Sequence, residues 1–160
     1  MDFDQGIGEC LPRLRRFAHA LARSPADADD LTQSTLEKAL VARDQYADGT
    51  RLDSWLYRIM RNQWIDTVRS RGRRAAHEAP PEAGAHVGAD PRPGIEAGID
   101  LARAMTAMGQ LPDDQREVVA LILIEGFGYR EVAEMLDLPI GTVSSRLVRG
   151  RTALLALLGG

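Results

Sequence analysis

The sequence is poor in several residue types, and each shortage excludes a class of protein. Its single cysteine, Cys10, cannot form an internal disulfide, so we expect a protein of a reducing compartment. Aromatic residues make up only 5% of the chain, so its core should consist mostly of Leu, Val, Ile and Ala. No apolar run approaches the roughly 20 residues of a membrane-spanning helix, and the acidic residues 1–9 lack the basic start of a signal peptide. These absences predict a cytoplasmic protein without membrane insertion.

Residues suited to catalysis are equally scarce. The three histidines, His19, His77 and His86, stand far apart in the sequence. No set of His, Cys and carboxylates has the spacing of a metal site, no glycine-rich phosphate loop is present, and no nucleophile stands beside a base. The sequence therefore predicts a protein that is not an enzyme and needs neither a metal nor another cofactor.

Positive charge is concentrated in two short segments of an otherwise acidic chain. The formal net charge is −3, yet residues 58–74 carry six arginines against one acid, a net charge of +5. Residues 129–160 carry a net charge of +1, whereas residues 75–128 carry −6. Two local basic surfaces of this kind predict phosphate binding. Solvated helix faces would produce the same pattern, so charge alone does not decide between these interpretations.

Hydrophobic periodicity predicts an all-α fold of two small helical domains joined by a flexible linker. Apolar residues recur every three or four positions in both halves of the chain, and no strand-like alternation is present. Residues 72–98 lose this period and contain four of the eight prolines, which indicates the linker. We therefore predict domains at residues 1–71 and 99–160. Seven helices are expected at 11–21, 25–40, 55–70, 99–108, 113–125, 129–136 and 142–158, with Ser24, Ser54 and Asp113 as caps of three of them.

The last two predicted helices have the spacing of a helix-turn-helix. The turn falls at residues 137–139, and the small Ala133 lets the two helices approach closely. Asp137 stands where glycine often supplies a positive φ, a conformation that Asp tolerates better than most residues. Hydroxyl and arginine side chains form a stripe suited to a DNA major groove, where Arg can bind guanine or phosphate with two hydrogen bonds: Thr142, Ser145, Arg146 and Arg149. A generic helical hairpin with an arginine-rich surface is the alternative.

The other basic segment, within residues 51–74, also predicts an amphipathic helix. Its polar side combines a ring, arginines and an amide: Trp55, Arg58, Asn62, Asp66 and Arg69. Aromatic rings stack on unpaired bases, Arg binds phosphate and Asn reads base edges, so this side suits a single strand. A plainer interpretation makes the tryptophans core residues and the arginines a solvated face. For Trp64 we favour that interpretation, whereas for Trp55 both stay open.

Three segments together resemble an extracytoplasmic-function sigma factor of bacterial RNA polymerase. They are DADDLTQSTLEKAL, GTRLDSWLYRIMRNQWIDTVRSRGRR and LPDDQREVVALILIEGFGYREVAEMLDLPIGTVSSRLVRGR. The resemblance covers nearly the whole chain apart from the predicted linker. It implies a sigma-two domain followed by a sigma-four domain. It also implies a factor that directs core RNA polymerase to one promoter class, in a stress response and under the control of an anti-sigma factor.

The resemblance assigns roles to particular residues. It places polymerase docking at Asp30, Gln33, Ser34 and Glu37. It assigns the unpaired minus-ten element to the loop of residues 45–51 and to Trp55, Arg58, Arg61, Asn62, Asp66 and Arg69. It assigns the duplex minus-thirty-five element to Thr142, Ser144, Ser145, Arg146, Arg149 and Arg151.

The chain departs from the family pattern at three positions. Ser34 replaces a common acid, and Ser144 replaces a common lysine. Gly150 replaces a usual alanine, and its inward position predicts close packing that compensates for about 1 kcal/mol of lost helix propensity.

Two rival interpretations follow from the same residues. A sigma-like decoy would sequester an anti-sigma factor without binding DNA, and it would have no use for Arg146 or Arg149. A free-standing helix-turn-helix regulator would leave the N-terminal residues unexplained. Both basic surfaces therefore favour a working factor.

Overall fold

A computed structural model describes residues 2–22, 24–47, 49–77 and 96–159, and within these ranges the regular structure is entirely helical. The all-α prediction is therefore confirmed. The elements are α1 (Phe3–Leu21), α2 (Pro25–Val41), a 3-10 turn (Arg43–Gln45), α3 (Leu52–His77), α4 (Glu96–Met108), α5 (Asp113–Val119) with a π-helical extension (Ala120–Ile124), α6 (Tyr129–Leu136) and α7 (Ile140–Gly159).

The N-terminal half, α1 to α3, is a three-helix unit built around aromatic and aliphatic side chains. Phe17 of α1 packs edge-on against Tyr57 of α3 with ring centroids 5.0 Å apart, and Leu14, Leu56 and Met60 are fully buried beside them. The predicted cap of α2 is confirmed, because Ser24 Oγ accepts a hydrogen bond from the Asp27 amide at 3.1 Å and a proline follows at the first helical position. This unit fixes which faces of α2 and α3 point outward.

Helix α3 is longer at both ends than the sequence predicts. It begins at Leu52 instead of Trp55, so the prediction that Ser54 caps it was wrong. The Asp53 carboxylate accepts the Ser54 amide instead, at 2.7 Å. At the other end α3 continues to His77, because residues 71–77 are mostly Arg and Ala, which favour helix.

Parts of the predicted linker are helical. Residues 72–77 belong to α3 and residues 96–98 belong to α4. The rest of the predicted linker, residues 78–95, lies outside the described residues. The domain boundaries at 71 and 99 therefore stay predictions.

The C-terminal half, α4 to α7, contains the helix-turn-helix. Asp137 adopts the left-handed conformation at φ 55° and ψ 52°, as predicted, and the Leu138 amide donates to the Ala133 carbonyl at 3.0 Å to close the turn. The prediction that Asp113 caps α5 was wrong, because Asp113 is the first residue of that helix. Pro112 holds the N-cap position and makes no side-chain hydrogen bond there. Val143 of α7 is completely buried against the neighbouring helices. This packing fixes the outward face of α7.

Gly150 permits a close approach between α7 and α5, which confirms the predicted packing. A Cβ at this position would lie 2.7 Å from Val119 Cγ2 and 3.3 Å from Gln115 Cβ. We expect Gly150→Ala to lower the free energy of unfolding by about 1 kcal/mol, because overpacking costs about 1–3 kcal/mol and helix propensity offsets only about 1 kcal/mol. Chemical denaturation measures the change.

Gly141→Ala is the matched control on the same helix. A Cβ there meets no atom within 4 Å, so this variant should be neutral or more stable by up to about 1 kcal/mol. Equal stability of the two variants would show that the space around Gly150 relaxes freely.

The two halves pack against each other. Helix α1 contacts α4 and α5, and α3 contacts α6. Arg116 of α5 is only 1% exposed and donates to the backbone carbonyl of Leu21 in α1 at 3.1 Å and to that of Leu111 at 2.9 Å. A buried arginine that satisfies the end of a helix in the other half joins the halves by directional polar contacts.

Candidate nucleic-acid and polymerase interfaces

The outer face of α7 presents the predicted groove-binding stripe. Val143, Leu147 and Gly150 are buried on the inner face, so the stripe lies outside the face that packs on the C-terminal half. Arg149 and Arg151 are exposed. Thr142 and Ser145 of the stripe are half-buried near the start of the helix, and so is Ser144, which lies outside the stripe.

Arg146 is held more tightly than the other arginines of α7. Its side chain is 25% exposed, and its Nε lies 3.6 Å from Asp114 Oδ2 of α5. A surface ion pair at this distance is weak, about 0–1 kcal/mol. A phosphate or a guanine edge can therefore compete for this guanidinium.

The polar side of α3 includes four exposed residues that the sequence places in the minus-ten set: Arg58, Asn62, Asp66 and Arg69. Trp55 is half-buried, and its ring packs against Phe3 at 5.9 Å and against Tyr46 at 5.3 Å between centroids. The described ring contacts of Trp55 are thus all internal to the N-terminal half. Trp64 is 9% exposed, which confirms its assignment to the core.

Two arginines of the minus-ten set contact the C-terminal half. Arg61 Nε donates to Glu117 Oε2 at 2.9 Å, and Arg58 Nη2 donates to the Glu134 backbone carbonyl at 2.9 Å. An open cleft of about 500 Å³ lies beside them, and its lining includes Asn62. Helices α3 and α6 thus form the two walls of a polar cleft.

The predicted docking surface on α2 is mostly free. Asp30, Gln33 and Glu37 are exposed, and Gln33 Nε2 lies 3.4 Å from Glu37 Oε1. Ser34 is half-buried, and its hydroxyl donates to Gln63 Oε1 of α3 at 2.8 Å. This hydrogen bond occupies the hydroxyl within the N-terminal half, so the acids are better placed to meet a partner.

Sequence reasoning missed a group of acids that contact arginines of the N-terminal half. Glu125, at the end of the π-helical segment, accepts two hydrogen bonds from Arg16, at 2.8 and 3.0 Å. It also accepts one from the Tyr57 hydroxyl at 2.7 Å. Arg16 and Tyr57 lie 109 and 68 positions before Glu125 in the sequence, so no local motif reveals these contacts. The only signal is the acidic charge of residues 75–128, which follows the basic segment.

A second missed contact brings Arg51 to the C-terminal half. Arg51 forms an ion pair with Glu131 of α6, and its Cζ lies 4.5 Å from the centre of the Phe127 ring. Arg51 also pairs with Asp53 at 2.9 Å. This guanidinium, which belongs to the predicted minus-ten loop, therefore bridges both halves.

Burial shifts the ionisation of two groups at this contact. Desolvation raises the pKa of Glu117 above its usual value, and the hydrogen bond from Arg61 only partly opposes this. Desolvation together with the Glu125 carboxylate raises the pKa of Tyr57, so the phenol stays a protonated donor. Burial also acts on Asp53, but hydrogen bonds from Arg51 and Arg13 outweigh it and lower the pKa of that carboxyl.

Among the residues that the structure describes, no cluster of three or more His, Cys, Asp and Glu side chains could hold a metal ion. Within the same residues, no helix has the length and apolar character needed to cross a membrane.

Family models and relatives agree on one family. The model of Sigma-70 region 2 matches residues 7–74, and the model of Sigma-70 region 4 matches residues 101–154. The chain is 36% identical over 148 residues to the ECF RNA polymerase sigma factor EcfG of Rhodopseudomonas palustris, covering 92% of this chain and 80% of the relative. It is 32% identical over 157 residues to the ECF RNA polymerase sigma factor SigM of Mycobacterium tuberculosis, covering 98% and 77%.

A solved structure matches the whole arrangement. The sigma factor RpoE from Bartonella quintana, crystallised in complex with the anti-sigma factor NepR, superposes with a TM-score of 0.86 at 35% identity. The match covers 99% of this chain and 97% of that chain. The relative placement of the helices is therefore shared with that protein.

Proposed function

Because this chain belongs to the ECF family of RNA polymerase sigma factors and so directs core RNA polymerase to promoters, we propose how its surfaces divide that task. The stripe on α7 binds the duplex minus-thirty-five element. The polar side of α3 and the loop of residues 45–51 bind the unpaired minus-ten element.

The observation that carries this proposal is the orientation of α7. Its apolar face is buried in the C-terminal half, and Arg149 is exposed on the opposite side with hydroxyl residues on the same stripe. A major groove admits one α-helix, and an arginine on its outer face can bind the two acceptors of guanine. Short hydroxyl side chains at the start of the helix let the DNA backbone approach closely.

The role of α3 rests on the composition of its exposed side. Asn62 and Arg69 lie on the same polar side as Arg58, and amide and guanidinium groups suit the edges of unstacked bases and the phosphates between them. Trp55 packs on two other rings, so we propose that it supports this surface and does not stack on a base.

The remaining roles concern partners. We propose that the exposed acids of α2, Asp30 and Glu37, dock on the clamp helices of the largest polymerase subunit in the cytoplasm. The protein acts as a transcription factor without catalysis of its own. Because the solved relative is bound to an anti-sigma factor, we propose an anti-sigma partner for this chain too. Its membership of the family supports a role in a stress response.

Run-off transcription on a genomic library with purified core polymerase tests the function. We expect transcripts from a defined set of start sites that share two sequence elements, and none of these with core polymerase alone. A chain that binds core polymerase or an anti-sigma factor but yields no specific transcript would be a decoy.

We also predict that the free protein binds promoter duplex poorly. Its net charge is −3, and carboxylates of the C-terminal half hold several arginines of the N-terminal half. The Kd in about 150 mM salt should be weaker than about 1 μM, which is the range of non-specific binding. Fluorescence anisotropy measures this value, and nanomolar binding without polymerase would contradict the prediction.

A further inference from the structure

We propose that Phe3, in the first turn of α1, is a positioning residue for the minus-ten element, because it holds the loop of residues 45–51 in shape through the ring of Tyr46. Phe3 lies outside every residue set that the sequence assigned to a binding surface. This inference rests on the proposed role of the loop in binding the unpaired strand. It adds a residue that acts on the strand through the loop.

Three aromatic rings from three separate segments meet beside the loop. Phe3 of α1, Tyr46 of the loop and Trp55 of α3 form this ring cluster, in which each ring contacts the other two. The ring centroids lie 5.9 Å apart for Phe3 and Tyr46, 5.9 Å for Phe3 and Trp55, and 5.3 Å for Tyr46 and Trp55. The rings are tilted or edge-on, an arrangement that aromatic pairs favour over a flat stack. The ring cluster therefore holds Tyr46 against the starts of two helices.

The first turn of α1 is itself fastened, so Phe3 can serve as an anchor. Asp2 caps the helix, and its Oδ1 accepts a hydrogen bond from the Asp4 amide at 2.8 Å. Asp4 Oδ1 pairs with Arg43 Nη2 at 3.0 Å, and Arg43 Cζ lies 5.0 Å from the centre of the Phe3 ring. Arg43 begins the 3-10 turn that leads into the loop. The ion pair and the cation–π contact thus tie the start of α1 to the start of the loop.

Tyr46 carries the position of the ring cluster to the far end of the loop. Its hydroxyl donates a hydrogen bond to the backbone carbonyl of Thr50. The Thr50 hydroxyl and amide both donate to the Ala47 carbonyl, at 2.6 and 3.2 Å. Gly49 adopts a φ of 90° between them, which glycine permits without steric cost. One side chain, Tyr46, therefore links the ring cluster to the hydrogen bonds that close the loop.

The loop depends on its backbone shape for contact with bases. Its exposed residues include Ala47, Gly49 and Thr50, whose side chains are short or absent. Bases of a single strand are recognised through hydrogen bonds to their edges, and peptide groups of the loop meet those edges only in a fixed conformation. A loop released from Tyr46 would populate other conformations. Its apparent affinity would then fall in proportion to the fraction that stays competent to bind.

Phe3→Ala tests the anchor, and Leu11→Ala is the matched control. Both residues are half-buried apolar residues of α1, and Leu11 lies about 12 Å along the helix axis from Phe3. A general loss of stability should therefore affect both variants. Phe3→Tyr keeps the ring and should rescue the function. Phe3→Leu keeps apolar bulk without the ring, and it replaces Phe3→Ala if that variant fails to fold.

Two readouts separate positioning from direct contact and from loss of the fold. The first is hydrogen exchange, followed by mass spectrometry, in the peptide that covers residues 45–51 of the free protein. The second is a ratio of two affinities of the holoenzyme assembled with core polymerase. One labelled single strand carries the minus-ten element found by run-off transcription, and the other has the same bases in permuted order. An unfolded fraction lowers both affinities equally and leaves this ratio unchanged.

We expect Phe3→Ala to speed exchange in the loop and to lower the affinity ratio about tenfold, the effect of a competent fraction of about one tenth. Phe3→Leu should show a smaller loss, whereas Phe3→Tyr and Leu11→Ala should match the parent. Tyr46→Phe lacks the hydroxyl that bonds to Thr50, so it should lower the ratio too. Because Phe3 and Tyr46 act in series, the double variant should lose no more than the larger single loss.

Four results would overturn the role of Phe3. The first is an unchanged affinity ratio in a folded Phe3→Ala or Phe3→Leu variant, whether or not exchange is faster. A lower ratio without faster exchange would mean that Phe3 meets the strand itself. An equal loss in Leu11→Ala would reveal a general effect of stability, and losses that multiply in the double variant would exclude the path through Tyr46. A parent holoenzyme that does not prefer the minus-ten strand is a failure of the proposed function, which the parent alone reveals.

Discussion

Replacing Arg149 with alanine is expected to lower initiation at the cognate promoters by about 5- to 150-fold, the loss of one bidentate contact worth about 1–3 kcal/mol. Arg149 is exposed on the outer face of α7, and Leu147 and Gly150 beside it anchor the helix from within. The substitution therefore removes a contact to DNA and leaves the fold intact. Single-round run-off transcription measures the change.

Two variants on the same helix sharpen this result. Arg149→Lys keeps the charge but not the planar fork, so it should restore only part of the loss. Arg151→Ala removes an exposed arginine that points away from the stripe, and it should lower initiation slightly at all promoters. Core polymerase binding should be unchanged in all three variants. Equal transcription by the parent and Arg149→Ala would exclude α7 as the reading helix.

Reversing the charge of Glu37 is expected to weaken binding to core polymerase by tenfold or more. Glu37 is exposed on α2 beside Gln33, where the family resemblance places the docking surface. A like charge opposite a basic partner costs several kcal/mol in a specific complex, so Glu37→Lys acts more strongly than deletion of the carboxylate. A fluorescence competition assay with purified core polymerase measures the affinity.

Glu9→Lys is the control for this second prediction. Glu9 is exposed on α1, and its substitution makes the same change in net charge away from the proposed docking surface. Both variants should show equal stability, and only Glu37→Lys should bind core polymerase more weakly. Because salt screens charges, this loss of affinity should be smaller at high salt. Equal loss in both variants would mean that net charge, and not the α2 surface, governs the interaction.

Local rules account for the elements that the sequence predicted correctly. The cap at Ser24, the left-handed Asp137 and the inward position of Gly150 each depend on a few neighbouring residues. The outward stripe of α7 follows from the helical period of its buried residues. Features of this kind are available from a single sequence because their causes lie within one or two helical turns.

The features that the sequence did not predict depend on contacts between distant residues. Helix α3 starts at Leu52 instead of the predicted Trp55, and the next residue, Asp53, forms ion pairs with Arg13 and Arg51. The contacts of Arg16 and Arg61 with acids of the C-terminal half join residues 109 and 56 positions apart. Nothing in the helical period distinguishes these glutamates from solvated ones, since charged residues on outer faces are common.

The contact between the halves also changes how the uneven charge is understood. The acidic net charge of residues 75–128 suggested repulsion of phosphate. In the folded protein two acids of that segment, Glu117 and Glu125, contact arginines of the N-terminal half. Part of that acidic charge is thus used in contacts with the N-terminal half.

Site-specific photocrosslinking in the promoter complex tests the division of labour most directly. A photoreactive amino acid at position 149 or at position 62 is placed in the factor, which is then bound with core polymerase to a promoter that it transcribes. We expect crosslinks from position 149 to duplex DNA at the minus-thirty-five element and from position 62 to the unpaired minus-ten strand. Crosslinks from both positions to one element, or from neither position to DNA, would contradict it.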